Sequence, residues 1–165
     1  MGMDIIGKAP KNETGEYFRN NVWWWRPLWD YCEYVIKKHE LGLNVEYPQS
    51  NDGDGLDEEG AKLLARALTI ELESGATMLA ELSWKAEVDS FPDEPCDLCN
   101  GDPRGALIQE DWYDYVEGKE TFRSPCNKCQ GTGSVKPFIS WYAFSEENVL
   151  EFRNFLLQCG GFEIW

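Results

Sequence analysis

Four cysteines carry the clearest chemistry in the chain: Cys96 and Cys99, then Cys126 and Cys129, each pair separated by two residues. Glycine follows each pair closely, in Cys96-Asp-Leu-Cys99-Asn-Gly101 and in Cys126-Asn-Lys-Cys129-Gln-Gly131-Thr-Gly133. A two-residue gap lets two thiolates point at one centre, and glycine lets the backbone turn back so that its amides face the sulfurs. Four thiolates complete a tetrahedral shell, so the expected cofactor is one structural Zn2+ with no ligand position left for water. Such an ion contributes folding free energy to a stretch with little core of its own. Redox-active or disulfide-bonded pairs and an iron site are the other chemistries this spacing allows.

Other catalytic arrangements find less support. The chain has one histidine, His39, and on a shared helix Cys32 and His39 would lie about 10 Å apart along the axis, too far for a nucleophile and its base. Cys32 falls on an apolar stripe and is expected in the core, as is Cys159. Asn51-Asp-Gly-Asp-Gly55 has the look of a calcium loop. With Gly55 as its glycine, however, Ser50 takes the first ligand position and Ala61 stands where a bidentate glutamate is required. A phosphate loop, a dinucleotide fingerprint and a His-Glu-x-x-His motif are all absent from the sequence. Asp52, Asp54, Glu71, Glu81 and Asp89 would make a divalent-metal enzyme only if two or more converged in space.

Charge narrows the partners. Thirty acidic and fifteen basic residues give a formal net charge of −15, which repels phosphate and disfavours direct DNA or RNA binding. The imbalance concentrates in residues 51–95, with twelve acids and three bases, against seven and six in residues 1–50. An acidic face at Asp52, Asp54, Asp57, Glu58 and Glu59 would steer toward a protein with a basic surface. Lys119, Arg123, Lys128 and Lys136 could form a small positive patch beside the cysteines. The most unusual local composition is Val22-Trp-Trp-Trp-Arg-Pro-Leu-Trp29. Three adjacent tryptophans cannot all face one way in a helix or a strand, so Trp23, Trp25 and Trp29, with Arg26, are candidates for an aromatic contact surface. No run reaches the roughly 20 apolar residues that span a bilayer, and no export segment is recognisable, so a cytoplasmic, non-membrane setting is expected.

The elements that must position these residues follow from periodicity. Residues 4–20 read as a strand, a turn around Asn12 and Gly15, and an extended return. Pro27 suits the first turn of a helix whose buried stripe is Leu28, Cys32, Val35 and Ile36, with Gly42 at its exit. Asp54 is the expected N-cap of a helix over 56–74, with Asp57, Glu58 and Glu59 in its first turn. Past Gly75, Met78, Leu79, Leu82 and Trp84 set a second register. Residues 89–95 read as a linker, 100–125 as a short helix or hairpin, and Phe138–Phe144 as a strand. An amphipathic helix from Ser145 through Val149, Phe152, Phe155 and Leu156 ends at Gly160-Gly161, before a short final strand. The expected class is α+β, with helices packed on a small sheet. Residues 1–95 and 134–165 form the body, and 96–133 form a four-cysteine zinc knuckle inserted before the final strand-helix-strand unit.

The second cysteine turn resembles the Cys-x-x-Cys-x-Gly-x-Gly repeat of the Hsp40 (DnaJ-type) co-chaperones. The first departs from it at Pro103, where the repeat has glycine. That family carries four repeats paired into two zinc sites, so the two present here correspond to half of its zinc-binding region. The resemblance covers roughly 16 residues and implies a metal site with this turn geometry. The His-Pro-Asp signature of the family's J domain is missing. The remainder is similar to small proteins of bacterial or phage origin. Together these features point to a non-catalytic, zinc-stabilised intracellular protein-binding or regulatory protein that uses an acidic or Trp-rich surface. A nucleic-acid-mimicking inhibitor of a host protein, encoded by a phage or mobile element, and a carboxylate-based divalent-metal enzyme are the alternatives.

Overall fold

The computed structural model describes residues 2–101, 115–116, 119–120, 126 and 128–165. The chain divides into two compact units, Met1–Glu87 with Trp141–Trp165, and Val88–Ser140.

The first unit is built on a four-stranded antiparallel sheet. Strand β1 (Gly2–Gly7) runs into a single helical turn, α1 (Glu13–Glu16), capped by Asn12, and returns as β2 (Tyr17–Asn21). Asn21 accepts from the amides of Trp23 and Trp24 and so starts α2 (Val22–Lys38). Further along come β3 (Gly55–Leu56), α3 (Glu58–Glu73) and α4 (Ala76–Ser90). Beyond the second unit the chain closes with α5 (Glu146–Gln158) and β8 (Phe162–Ile164). The sheet order is β2-β1-β8-β3. Met3 and Ile5 alternate with outward residues on β1, and Ile5 sits between Phe18 on β2 and Ile164 on β8, so one face is apolar. Trp25, Leu28, Trp29, Cys32 and Val35 of α2 meet Leu64 and Leu68 of α3 in the same core. Trp25 stacks on Trp29, and Phe152 meets both edge-on.

Pro27 lies well inside α2 rather than in its first turn, because Asn21 caps the helix earlier than the proline suggested. A proline there leaves the carbonyl four residues back without its helical partner. That carbonyl belongs to Trp23, and it accepts instead from the amide of Ala143 at 2.9 Å. The defect in the helix thus becomes an anchor for the segment at Trp141–Ala143.

Asp54 does not cap α3. Its carboxylate takes the amides of Tyr47 and Gly55, and Asp57 accepts from Gly60 as the N-cap. Gly75, at φ +75, breaks the helical run and separates α3 from α4. α4 continues to Ser90, into the stretch expected as a linker.

The second unit contains β4 (Glu94–Pro95), the paired two-residue strands β5 (Tyr115–Val116) and β6 (Lys119–Glu120), and β7 (Ser134–Val135). Residues 102–114, 117–118 and 121–125 of the expected helix or hairpin over 100–125 lie outside the described residues. Phe138–Trp141 forms a 3-10 turn and not a strand. Its amide at Ser140 closes onto Pro137 O, and the following residues Tyr142 and Ala143 bond to Trp84 and Trp23 instead of a sheet edge. Ser145 then caps α5 (Glu146–Gln158), and β8 (Phe162–Ile164) completes the first sheet. The α+β class, and the position of the cysteines just ahead of this closing segment, agree with the sequence reading.

Candidate metal centre

The two cysteine turns are joined by a minimal ladder. Glu94 pairs with Val135 and Pro95 with Ser134, and the Cys96 amide donates to Gly133 O at 2.9 Å. The two halves repeat each other in backbone conformation. Asn100 and Gln130 both take left-handed φ, 51° and 53°, and each is followed by a glycine at positive φ. Gly133 has a further requirement, since a Cβ there would stand 2.8 Å from the carbonyl oxygen of Gly101. Lys128 and Asp97 form an ion pair across the two turns, and Lys136 ties Asp93 and the Phe91 carbonyl to the strand that leaves the site.

Cys96 Sγ lies 3.8 Å from Cys126 Sγ, and Cys99 Sγ lies 3.6 Å from Cys129 Sγ. All four sulfurs fall within 4.8 Å of one another. A tetrahedron of metal–sulfur bonds of about 2.3 Å has edges of about 3.8 Å, so the spacing suits a chelated ion. These separations are far beyond a disulfide bond of about 2.05 Å, and all four cysteines are free. Each is buried. Burial opposes ionisation of Cys129, yet the amides of Gly133 and Gly131, with the Cys126 and Cys99 thiols, bring its pKa to about 6. Cys99 is pushed up to about 12 by burial and by its Cys129 and Cys96 neighbours. Four thiols in one buried nest cannot all ionise without a cation among them, and softness and geometry both favour a thiolate-binding metal. Among the described residues this is the one group of three or more His, Cys, Asp or Glu placed to hold a metal ion.

Comparisons with protein-family models, with curated proteins and with solved structures find no match.

The tryptophans divide sharply. Trp25 and Trp29 have essentially no exposed surface, and Trp25 Nε1 donates to Pro48 O at 2.7 Å, so neither can offer a contact face. Trp23 is half-buried, and Trp24 and Arg26 are exposed. The structure adds two residues that the sequence reading placed on a strand. Trp141, 51% exposed, meets Trp23 edge-on at 5.8 Å, and Tyr142 lies 5.1 Å from Trp23. Arg26 donates to the Tyr142 hydroxyl at 2.6 Å and lies over its ring. The signal for this patch was Pro27, which supplies no helical amide to the Trp23 carbonyl and leaves that carbonyl to the Ala143 amide.

The acidic residues do not converge. Asp52, Asp57, Glu58 and Glu59 are exposed, with Asp57 capping α3 and Glu58 paired with Lys62. Asp54 is half-buried against its two amides. Glu81 pairs with Lys85 and accepts the Glu146 amide, which leaves it committed to structure. Of the expected positive patch, Lys128 and Lys136 are in ion pairs, Arg123 lies outside the described residues, and only the backbone of Lys119 is described.

Glu71 is the unexpected group. Its carboxylate is buried, 2.6 Å from His39 Nε2 and 2.8 Å from Lys38 Nζ, beside the Tyr31 hydroxyl that meets Thr77. Burial pushes the Glu71 carboxyl up, but hydrogen bonds from Lys38 and His39 outweigh it and leave the pKa below the ordinary value. A carboxyl lowered in the folded state contributes stability above its unfolded pKa, and that contribution is lost as pH falls through the folded one. Glu71→Gln is accordingly expected to flatten the decline in melting temperature below about pH 5, the region where free carboxyls begin to titrate. Thermal melts across that range check it, and an acid slope equal to wild type would contradict the pairing.

Proposed function

We propose that the chain is a non-catalytic, zinc-stabilised protein-binding or regulatory protein, acting in the cytoplasm on a partner with a basic surface. The ion is assigned as zinc because four buried sulfurs leave no opening for water and because the turns resemble the Hsp40 repeat. The contact surface is the patch of Trp23, Trp24, Arg26, Trp141 and Tyr142, with exposed acids such as Asp52, Asp57 and Glu59 steering the encounter. One observation carries this reading: a half-exposed Trp141 held edge-on to Trp23 beside Arg26, the residue types that dominate protein contacts.

Trp141→Ala tests it. The variant is expected to keep its melting temperature within a few degrees, and its affinity for the captured partner should fall about 30-fold, as for loss of a hot-spot side chain. Tyr34, exposed elsewhere on α2, supplies the control. Equal retention of the partner by Trp141→Ala and Tyr34→Ala would remove the patch from the mechanism.

A further inference from the structure

Helix α4 is apolar on two opposite sides. Its inner side carries buried Thr77, with Ala80 and Trp84 packed on the core of the first unit, and Trp84 Nε1 donates to Tyr142 O at 3.0 Å. Its outer side carries Met78, Leu79 and Leu82, exposed by 50%, 63% and 55%. At 3.6 residues per turn these three and exposed Ala86 fall within an arc of about 100°, opposite the inner residues. A surface helix ordinarily has one apolar stripe, and contiguous exposed apolar side chains mark a contact site. The sequence register treated Met78, Leu79 and Leu82 as one set with Trp84, whereas the structure turns Trp84 inward and leaves the other three outside.

Charge selects the occupant. Outside the Glu81–Lys85 pair, α4 carries the acids Glu87 and Asp89 and no further base. Residues 51–95 as a whole carry nine more acids than bases. A second copy fits poorly, because a two-fold contact would set these acids against themselves on chains of net charge −15. We propose that the outer face of α4 docks a basic amphipathic helix from another protein. Leucine-type anchors on that helix, spaced at three and four residues, would pack on Met78, Leu79 and Leu82, and flanking lysines or arginines would face the acids. The unbranched Met78 side chain lets the face adapt to more than one anchor pattern. This face is on a different element from the tryptophan patch of α2 and stands or falls independently of it.

The probe is a synthetic helical peptide of about 18 residues, long enough to hold a helix, with leucines at that spacing and lysines on the flanks. It is titrated into the full chain while backbone amide shifts are followed. Saturable binding is expected, with shifts centred on Met78–Ala86 and an affinity that weakens with salt. The double variant Leu79→Ser, Leu82→Ser should keep the wild-type amide pattern elsewhere, since both side chains are exposed, and bind at least tenfold more weakly. A peptide with the same leucines and glutamate flanks should not bind. Trp141→Ala should bind as wild type does, which separates this face from the aromatic patch. Absence of binding, equal binding of the acidic peptide, shifts centred elsewhere, or self-association through α4 would each overturn the proposal.

Discussion

Cys129→Ser is expected to lose the ion proposed for the four-cysteine site and, with it, the order of the two cysteine turns. Among the described residues the apolar cluster of the unit Val88–Ser140 consists of the four cysteines and half-buried Val135 alone. Those described residues bury little apolar surface to offset the conformational entropy of ordering the turns, and an ion held by the four thiols would contribute the balance there. Structural zinc in small peptides contributes on the order of 10–16 kcal/mol of binding free energy, which is ample. Loss of a direct ligand should weaken metal binding beyond the roughly 10–100-fold seen when only an outer-shell partner is removed. Competition with a chelator measures the affinity, and amide hydrogen exchange measures the order. Protection should vanish at residues 94–101 and 126–135, while the separate core around Trp25 and Phe152 keeps its own. Cys129→Ser protein with full metal content and full protection would contradict this assignment.

The second large effect is expected at Trp25. Trp25→Ala removes a side chain with no exposed area, stacked 5.5 Å from Trp29 and edge-on to Phe152. Truncating a buried aromatic costs about 3–5 kcal/mol, and the Pro48 carbonyl loses its donor as well. Denaturant unfolding of the variant should show a midpoint shift of that size, whereas Trp141→Ala should stay within about 0.5 kcal/mol. The contrast separates the two roles that neighbouring tryptophans play. If Trp25→Ala were as stable as wild type, the aromatic core described for α2 would be wrong.

The cysteine pairs were legible because their chemistry is local: a two-residue gap and a following glycine dictate the turn whatever packs around it. The three-and-four spacing of Val149, Phe152, Phe155 and Leu156 was legible for the same reason, since that face repeats within a few residues. Long-range partners were not. Residues 138–144 have strand composition, but the Ala143 amide and the Tyr142 carbonyl are taken by Trp23 and Trp84, which composition does not announce. Asp54 was expected at the N-cap, but the Tyr47 and Gly55 amides claim its carboxylate and the cap falls to Asp57. The outer face of α4 was misread because two opposed apolar stripes blur into one periodicity. Glu71 sat in an apolar register with no sign that Lys38 and His39, on another helix, would meet it.

The most direct test of the central claim is X-ray absorption at the zinc edge, with elemental analysis, on protein purified without added metal. One zinc per chain surrounded by four sulfurs at about 2.3 Å is the expected result. A metal-free protein that still holds Cys96, Cys99, Cys126 and Cys129 together, or an ion with an oxygen ligand from exchangeable water, would contradict it.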